Sequence, residues 1–247
     1  IFVTSSLYEI EVQDYTETTF FTFDKNGQLL GSVNFEEKPW FMKKQNQKII
    51  LGIGRPRCGI LTIDDKYNIS HSRTDGNSPV NMGIKTNKRF LLGHSDGTIT
   101  EINDSGRKYI QCGNDSITAI SSKDISWQAG DKNGNLFSSD GWSKKLGDRI
   151  NCIVETKHHI WVSVTSKNNV VYLLDKGSGS IKHQFSHDYK IQLMKLLDNN
   201  LAISDEEGKV MFFDTKTLEK RIGTKSVISE DLERRNLLKK RLRALRE

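Results

Sequence analysis

Residues capable of catalysis are present in this chain, but they are not arranged for it. None of the six histidines belongs to an HExxH motif, the spacing that places two zinc ligands on one helix face. His183 and His187 are four residues apart, but they flank a predicted strand end. A GxSxG segment, which would expose a nucleophilic serine on a tight turn, is also missing. We therefore expect a protein that is not an enzyme.

Three short segments resemble fragments of ligand-binding loops. Residues 25–27 and 131–134 contain the Asn-Gly pairs of calcium loops, but an EF-hand needs Gly at its sixth position and Glu at its twelfth. Neither segment meets that requirement. Residues 52–54 begin like a dinucleotide-binding fingerprint, but residues 55–57, Arg-Pro-Arg, stand where a helix should begin. We predict turns at all three places, with no metal and no other cofactor.

The composition favours a chain that works inside the cell without inserting into a membrane. Cys58, Cys112 and Cys152 lie far apart and form no CxxC pair, so neither a zinc knuckle nor a disulfide framework is indicated. No apolar run approaches the roughly 18 residues that span a bilayer. The 37 basic and 31 acidic residues give a net charge of +6, which favours acidic partners. We expect the protein in the nucleus or the cytoplasm.

A recurring residue pair shows how the chain is organised. A strand-ending position followed by Asp or Asn returns at intervals of 40, 39, 37, 35 and 39 residues. Six positions before that Asp or Asn, four of the repeats carry Gly or Asn, which tolerate the positive φ of a tight hairpin. Periods of this length are typical of repeat folds. The six pairs are Phe23-Asp24, Ile63-Asp64, Ile102-Asn103, Ser139-Asp140, Leu174-Asp175 and Phe213-Asp214.

Apolar segments before and after each hairpin predict four strands in every repeat. A unit of 35 to 40 residues with four strands has the size of a β-propeller blade. In the first unit, residues 1–4 are predicted to form the innermost strand and residues 8–12 the second. A β-sandwich would also have many short strands, but it would not keep the Asp-anchored hairpin in phase through six units. The prediction is an all-β protein, a β-propeller of six recognisable four-stranded blades.

The repeats resemble those of the WD-repeat family of β-propellers. The segment 91–103, LLGHSDGTITEIN, is similar to that family's motif of a small residue, an Asp-Gly turn and a strand-ending position, and 201–214 is similar to it. The likeness covers about residues 1–223 of the predicted propeller domain, which is residues 1–225. None of the four tryptophans precedes the strand-ending Asp, and no Gly-His pair separates the blades. The resemblance implies a divergent WD-like propeller, and PQQ-type or other propellers are the alternatives within the fold.

The number of blades leaves three arrangements open, because WD-repeat propellers most often have seven and six are found here. The ring could close with six blades, a seventh blade could be encoded upstream of Ile1, or a partner could fill an open ring. The last arrangement resembles certain coat and nuclear-pore WD-repeat proteins. An open ring would leave unpaired strand edges, which proteins generally avoid exposing.

The C-terminal segment 226–247 is predicted to be a separate basic amphipathic α-helix. It has no Gly or Pro after Ser229 and is rich in strong helix formers. Seven basic residues stand against four acidic ones. The helix could pack on its own propeller, dock on another subunit, or contact RNA or DNA phosphates. Its apolar docking stripe is predicted to consist of Leu232, Leu238, Leu242 and Leu245.

Sorting the loops by strand order predicts two faces of unlike charge. Loops joining the first strand to the second, and the third to the fourth, share one face, which is predicted to be basic. The other loops share the opposite face, which is predicted to be mainly acidic. The candidate partner-binding residues of the basic face are Lys43, Lys44, Lys85, Lys88, Arg89, Lys144 and Lys145. Those of the opposite face are Arg55, Arg57, Asp96, Glu206 and Glu207.

Together these features predict a non-catalytic scaffold that binds the protein subunits of a larger intracellular complex. A second hypothesis is a nucleic-acid-associated factor, in a ribonucleoprotein or chromatin complex, whose basic face and tail contact phosphates. That hypothesis predicts a steep dependence of affinity on salt. A third is a propeller enzyme with a metal site in its central channel.

Overall fold

The computed structural model of the chain describes residues 1–45, 47–74, 78–86, 89–103, 105–123, 125–167, 169–198 and 200–223. The predicted tail helix, with Leu232, Leu238, Leu242 and Leu245, lies outside the described residues, as does Lys88.

The described residues form six antiparallel sheets that follow one another along the chain. Sheet one contains β1 (Phe2–Glu9), β2 (Asp14–Phe23) and β3 (Leu29–Phe35). Sheet two contains β4 (Pro39–Gln45), β5 (Lys48–Ile53), β6 (Gly59–Ile63) and β7 (Ile69–Ser72), and sheet three contains β8 (Val80–Lys85), β9 (Arg89–His94), β10 (Thr98–Asn103) and β11 (Gly106–Gln111).

The second half of the described chain continues the same pattern. Sheet four contains β12 (Ile117–Lys123), β13 (Ser126–Asp131), β14 (Asn135–Ser138) and β15 (Ser143–Lys145), and sheet five contains β16 (Arg149–Glu155), β17 (His159–Thr165), β18 (Asn169–Asp175) and β19 (Ile181–His187). Sheet six contains β20 (Ile191–Leu197), β21 (Asn200–Asp205) and β22 (Val210–Asp214), and a short helix α1 (Thr215–Gly223) follows it. The predicted all-β architecture of six antiparallel sheets is confirmed.

Successive sheets pack face to face. In sheets two to six, each first strand contacts the first strand of the next sheet, from β4 and β8 through to β16 and β20. Five buried apolar clusters lie one between each pair of successive sheets, from sheets one and two to sheets five and six. This is the arrangement expected of propeller blades, in which every blade buries its faces against its neighbours.

A small residue near the end of the second strand makes room for the neighbouring sheet. A Cβ atom on Gly52 would lie 2.7 Å from Cγ1 of Val80, the first residue of β8. A Cβ atom on Gly93 would lie 2.6 Å from Cγ2 of Ile117, the first residue of β12. Val80 and Ile117 are fully buried, and burying such a side chain contributes about 1.5–3 kcal/mol. The glycines therefore let aliphatic side chains pack directly against the backbone of the preceding sheet.

The recurring Asp or Asn fixes the turn that follows the third strand in sheets one, two, three and five. In sheet four the Ser138 hydroxyl accepts from the N–H of Asp140 instead. Asp64 Oδ1 accepts hydrogen bonds from the backbone N–H groups of Lys66 and Asn68, at 2.9 and 2.8 Å. Asp24 Oδ1 does the same for Asn26 and Gln28, both at 2.8 Å. Carboxylate capping of this kind is what favours Asp and Asn in turns. The predicted repeat thus has a local structural cause.

Sheet one differs from the sequence prediction. Residues 2–9 form a single strand that pairs with β2, and residues 10–13 lie in the turn between them. Because β2 ends at Phe23, immediately before the turn-capping Asp24, it corresponds to the third strand of the other sheets and β1 to the second. The innermost strand predicted at residues 1–4 and the second strand predicted at residues 8–12 are therefore wrong, and sheet one has no first strand in the described chain.

Sheet six is also short of one strand. β22 ends at Asp214, whose Oδ1 accepts hydrogen bonds from the N–H groups of Lys216 and Thr217. Here the carboxylate caps the N-terminus of α1 instead of a turn into a fourth strand. Leu218 of α1 packs on the cluster between sheets five and six. No helix in the described ranges is long and apolar enough to span a membrane.

Candidate interaction surfaces

The outer face of sheet six, on the side away from sheet five, exposes apolar side chains. Strand pairing places Leu193, Ser204 and Val210 in one row, and the exposed Lys195 with Ala202 and Phe212 in the next. The side chains of Leu193, Val210 and Phe212 are 58%, 55% and 65% exposed. We call this surface, defined by Leu193, Ala202, Ser204, Val210 and Phe212, the sheet-six face.

The corresponding face of sheet three shows what such a surface normally contacts. There Met82, Gly93 and Ile99 occupy one row, and sheet four covers them by placing Ile117 against Gly93. Ile99 is fully buried as a result. The sheet-six face has the same type of surface, with Ser204 at the position of Gly93, but no described residue covers it.

The first sheet presents an open edge. Within the described residues, β1 pairs with β2 alone, so one side of its backbone has no strand beside it. The sequence FVTSSLYE contains neither Lys nor Pro, the residues that commonly protect an edge. Val3, Leu7 and Tyr8 are between 42% and 56% exposed. Val210 and Phe212 of sheet six are exposed as well, so both ends of the row of sheets present accessible apolar side chains in the described chain.

The predicted basic face is only partly assembled. Lys43, Lys44 and Lys85 are exposed near the ends of β4 and β8. Lys144 and Lys145 lie within β15, the outermost strand of sheet four, not in the predicted loop. The Lys145 ammonium donates to the backbone carbonyl of Asn133, on a hairpin of the opposite face. These two lysines are therefore separated from the other three.

Arg89 is largely buried and forms hydrogen bonds within sheet three and to sheet four. Its side chain is 9% exposed, and Nη1 lies 3.0 Å from Glu101 Oε1. Nη2 donates to Ser122 Oγ at 3.2 Å and to the carbonyl of Ile125. The guanidinium thus ties sheet three to sheet four and is not presented to a partner.

On the opposite face, Arg57 is committed to an ion pair with the buried Glu37, although its own side chain is 40% exposed. Its Nε and Nη2 both bond the carboxylate of Glu37, the second at 2.7 Å. Burial would by itself raise the pKa of Glu37, but the hydrogen bonds and the charge of Arg57 outweigh it, so the pKa lies below its ordinary value. This pair joins the loop before β4 to the loop after β5.

The remaining predicted residues of this face differ in availability. Asp96 accepts hydrogen bonds at Oδ1 from the N–H and the hydroxyl of Thr98, at 3.1 and 2.6 Å, so it stabilises the β9–β10 hairpin. Glu206 and Glu207 are exposed on the β21–β22 hairpin, and Glu206 accepts from the N–H of Lys190 at 3.0 Å. Arg55 is exposed and lines a cavity between sheets two and three.

A buried ion pair that the sequence does not reveal lies between sheets four and five. Glu155 is 5% exposed, and its Oε2 lies 2.7 Å from Nζ of Lys176. The Gln128 amide, with its nitrogen turned toward the carboxylate, donates to the other side of it. Burial raises the pKa of Glu155 in spite of these partners. Residues 128, 155 and 176 meet only when sheet four packs on sheet five, so no local sequence pattern marks them.

No group of three or more His, Cys, Asp or Glu side chains in the described ranges is placed to hold a metal ion. Sequential antiparallel sheets that contact through their first strands define a protein of the β-propeller type, here with two incomplete terminal sheets. No family model matches the chain, and no curated protein matches it.

Solved structures support the fold. A chain from the crystal structure of the Mitotic Checkpoint Complex is similar with a TM-score of 0.60 and 12% identity, over 72% of this chain and 62% of that one. The computationally designed Ika8 protein gives a TM-score of 0.52 at 12% identity, over 81% of this chain and 80% of its own. The designed Ika4 protein gives 0.51 at 16% identity, over 58% and 95%. At these identities the likeness concerns the fold alone.

Proposed function

We propose that this chain is a non-catalytic scaffold of the divergent WD-repeat type, a subunit of an intracellular multiprotein assembly. The observation that carries the proposal is the sheet-six face. Three large apolar side chains on one face of a terminal sheet form the kind of patch that marks a protein-interaction site. A chain of similar fold comes from the Mitotic Checkpoint Complex, and membership of a complex is in keeping with such a role.

The expected partner presents a β-sheet to this face. In sheets two, three and four, the matching position is a glycine that the first strand of the next sheet covers with Val80, Ile117 or Ile150. The partner should therefore place a β-branched aliphatic side chain on Ser204 and cover Val210 and Phe212. Such a sheet would continue the row of blades past its last member, as a partner does in an open ring.

The test compares a face variant with a matched control. V210D/F212D places two charges on the sheet-six face, and I125D places one at a side chain that is 81% exposed in the loop between β12 and β13. Crosslinking mass spectrometry after affinity purification should give crosslinks from a protein partner to sheet six for the wild type and for I125D, but not for V210D/F212D. Equal crosslinks in all three proteins would overturn the proposal.

Two other occupants of the face give different results. A second copy of the chain would appear as a dimer in light scattering of the purified protein, and V210D/F212D would dissociate it. The chain's own residues 226–247 would appear as a rise in hydrogen exchange of β20 to β22 when they are deleted from the isolated protein. Either result would contradict a partner sheet at this face.

A further inference from the structure

Two aromatic rings in sheets one and two form a right-angled corner around a cation. Tyr15, near the start of β2, and Trp40, in β4, have ring centroids 6.4 Å apart and planes at 84°. The Nζ atom of Lys38 lies 3.8 Å from the centroid of Tyr15 and 4.5 Å from that of Trp40. Both distances are within the range of a cation–π interaction. The corner therefore already has the shape and spacing that an ammonium group requires.

Neighbouring groups hold the two walls in place. Tyr8 packs edge-on against Tyr15, with centroids 5.1 Å apart. The indole of Trp40 lies over Gly54, because a Cβ atom there would be 2.8 Å from Nε1. The N–H of Gly54 in turn donates to the carbonyl of Lys38 at 3.3 Å. A preorganised corner of this kind loses little conformational freedom when a ligand binds.

The corner opens into a cavity of about 200 Å³. Lys38, Tyr15 and Trp40 line it together with the charged residues Asp14 and Arg55. Asp14 supplies a carboxylate for a bound cation, and Arg55 supplies a guanidinium for a carboxylate next to it on the ligand. The cavity is also lined by Asn81 of β8 and by Pro79 and Ser95, which lie next to β8 and β9 in the chain.

We propose that this corner binds a trimethylated lysine of a partner polypeptide, and that Lys38 occupies it in the unbound protein. A primary ammonium such as that of Lys38 is compact and strongly hydrated, so it gives up much solvation on an aromatic face. A trimethylammonium group has no N–H to keep solvated and is the ligand for which aromatic cages are suited. It can therefore displace Lys38, and an acidic residue beside it on the ligand pairs with Arg55.

Because Lys38 occupies the corner, the effect of removing it on ligand affinity distinguishes a binding site from a cation–π contact that only stabilises the fold. If Lys38 competes with the ligand, its removal raises the population of the open site and tightens binding. If Lys38 only stabilises the loop before β4, its removal leaves affinity unchanged or weakens it. The inference rests on the proposed function in one respect, that its ligand belongs to a protein partner, but binding of an isolated peptide is measured without reference to the sheet-six face.

The experiment is a titration of the purified full chain with Gly/Ser peptides that carry one lysine followed by aspartate. The trimethylated peptide should bind and the unmethylated peptide should bind at least about tenfold more weakly, because the aromatic walls discriminate between the two head groups. In K38A, affinity for the trimethylated peptide should rise about tenfold, and in W40A it should be lost. Y189A, which removes an aromatic side chain that is 44% exposed and packs on His187, is the matched control and should bind like the wild type.

Three additional measurements separate loss of the binding site from loss of folding and from binding of the head group alone. Y15L is titrated alongside W40A, and thermal melts show which variants are folded, so that a loss in a folded variant is a loss of the site. Choline is titrated as the free source of the same head group. Equal affinity for both peptides, no gain in K38A, or choline binding as tight as the peptide would each overturn the assignment. V210D/F212D should bind the peptide normally, so a failed peptide titration and a failed sheet-six test remain separate outcomes.

Discussion

Ile150, in the first strand of sheet five, packs directly against Gly130 in the second strand of sheet four. A Cβ atom on Gly130 would lie 2.5 Å from Cγ2 of Ile150, closer than real Cβ atoms approach another carbon. Ile150 is fully buried. The same pairing joins Gly52 to Val80 and Gly93 to Ile117. In these three sheets, contact with the next sheet thus depends on a glycine at one position of the second strand. Ser204 occupies that position in sheet six, where no described residue covers it.

We expect Gly130→Ala to destabilise the protein by about 1–3 kcal/mol, the usual cost of overpacking a close-packed interface. The three atoms nearest to the added methyl group all belong to the β-branched side chain of Ile150, which has few rotamers by which to move away. Denaturant unfolding gives the measurement. Gly177→Ala is the control, since only Asp175 lies within 4 Å of its Cβ, at 3.6 Å. A Gly130→Ala change as small as the control's would show that sheets four and five can separate slightly without cost.

The turn-capping Asp and Asn could be predicted from the sequence because their effect is local. Asp64 accepts hydrogen bonds from backbone N–H groups two and four residues ahead. The regular spacing of such residues is therefore enough to predict the turn. Asp214 has the same local signature but caps α1, and the choice between a turn and a helix depends on whether a fourth strand can follow. Placement of β1 could not be predicted because strand order in a sheet is decided by distant pairing. The corner formed by Tyr15 and Trp40 was missed for the same reason.

The burial of Arg89 could not be predicted from the sequence either, because its partners lie on distant strands. Its hydrogen bonds give a prediction about stability. We expect Arg89→Met to destabilise the protein by about 2 kcal/mol, because it leaves Glu101, Ser122 and the Ile125 carbonyl without a charged donor. Lys85→Met, at an exposed position four residues earlier, should change stability by less than about 0.5 kcal/mol. Urea unfolding of the two variants measures both. If Arg89→Met leaves the free energy of unfolding unchanged, the Arg89 side chain is free to bind a partner.

The nucleic-acid hypothesis can be tested on the lysines that remain exposed. We expect K43E/K44E/K85E to change the slope of log affinity for single-stranded RNA against log salt by less than about one unit, since no phosphate is proposed to bind there. Fluorescence anisotropy over a range of salt concentrations measures the slope. A slope reduced by about two to three units would indicate that these lysines contact phosphates. That result would favour the nucleic-acid-associated factor over the protein scaffold.

The buried pair of Glu155 and Lys176 gives a prediction about pH. Burial raises the pKa of Glu155 above its ordinary value of 4.5, so between the two values the folded state binds more protons than the unfolded state. Stability contributed by this group is therefore present at pH below 4.5 and is lost as the pH rises through the raised pKa. In Lys176→Met the carboxylate loses its positive partner, which raises the pKa further and extends that loss to higher pH.

We accordingly expect Lys176→Met to destabilise the protein by about 3 kcal/mol at pH 7, the cost of leaving a buried carboxylate unpaired. The penalty should be smaller at pH 5, where Glu155 can take up a proton in the folded state. Denaturant unfolding of the wild type and the variant at the two pH values measures the difference. Adding Glu155→Gln to Lys176→Met removes the titrating group and should abolish the change in penalty with pH. If the penalty stays the same at both pH values without that second change, the carboxylate is hydrated in the folded protein and the packing between sheets four and five is looser than its burial indicates.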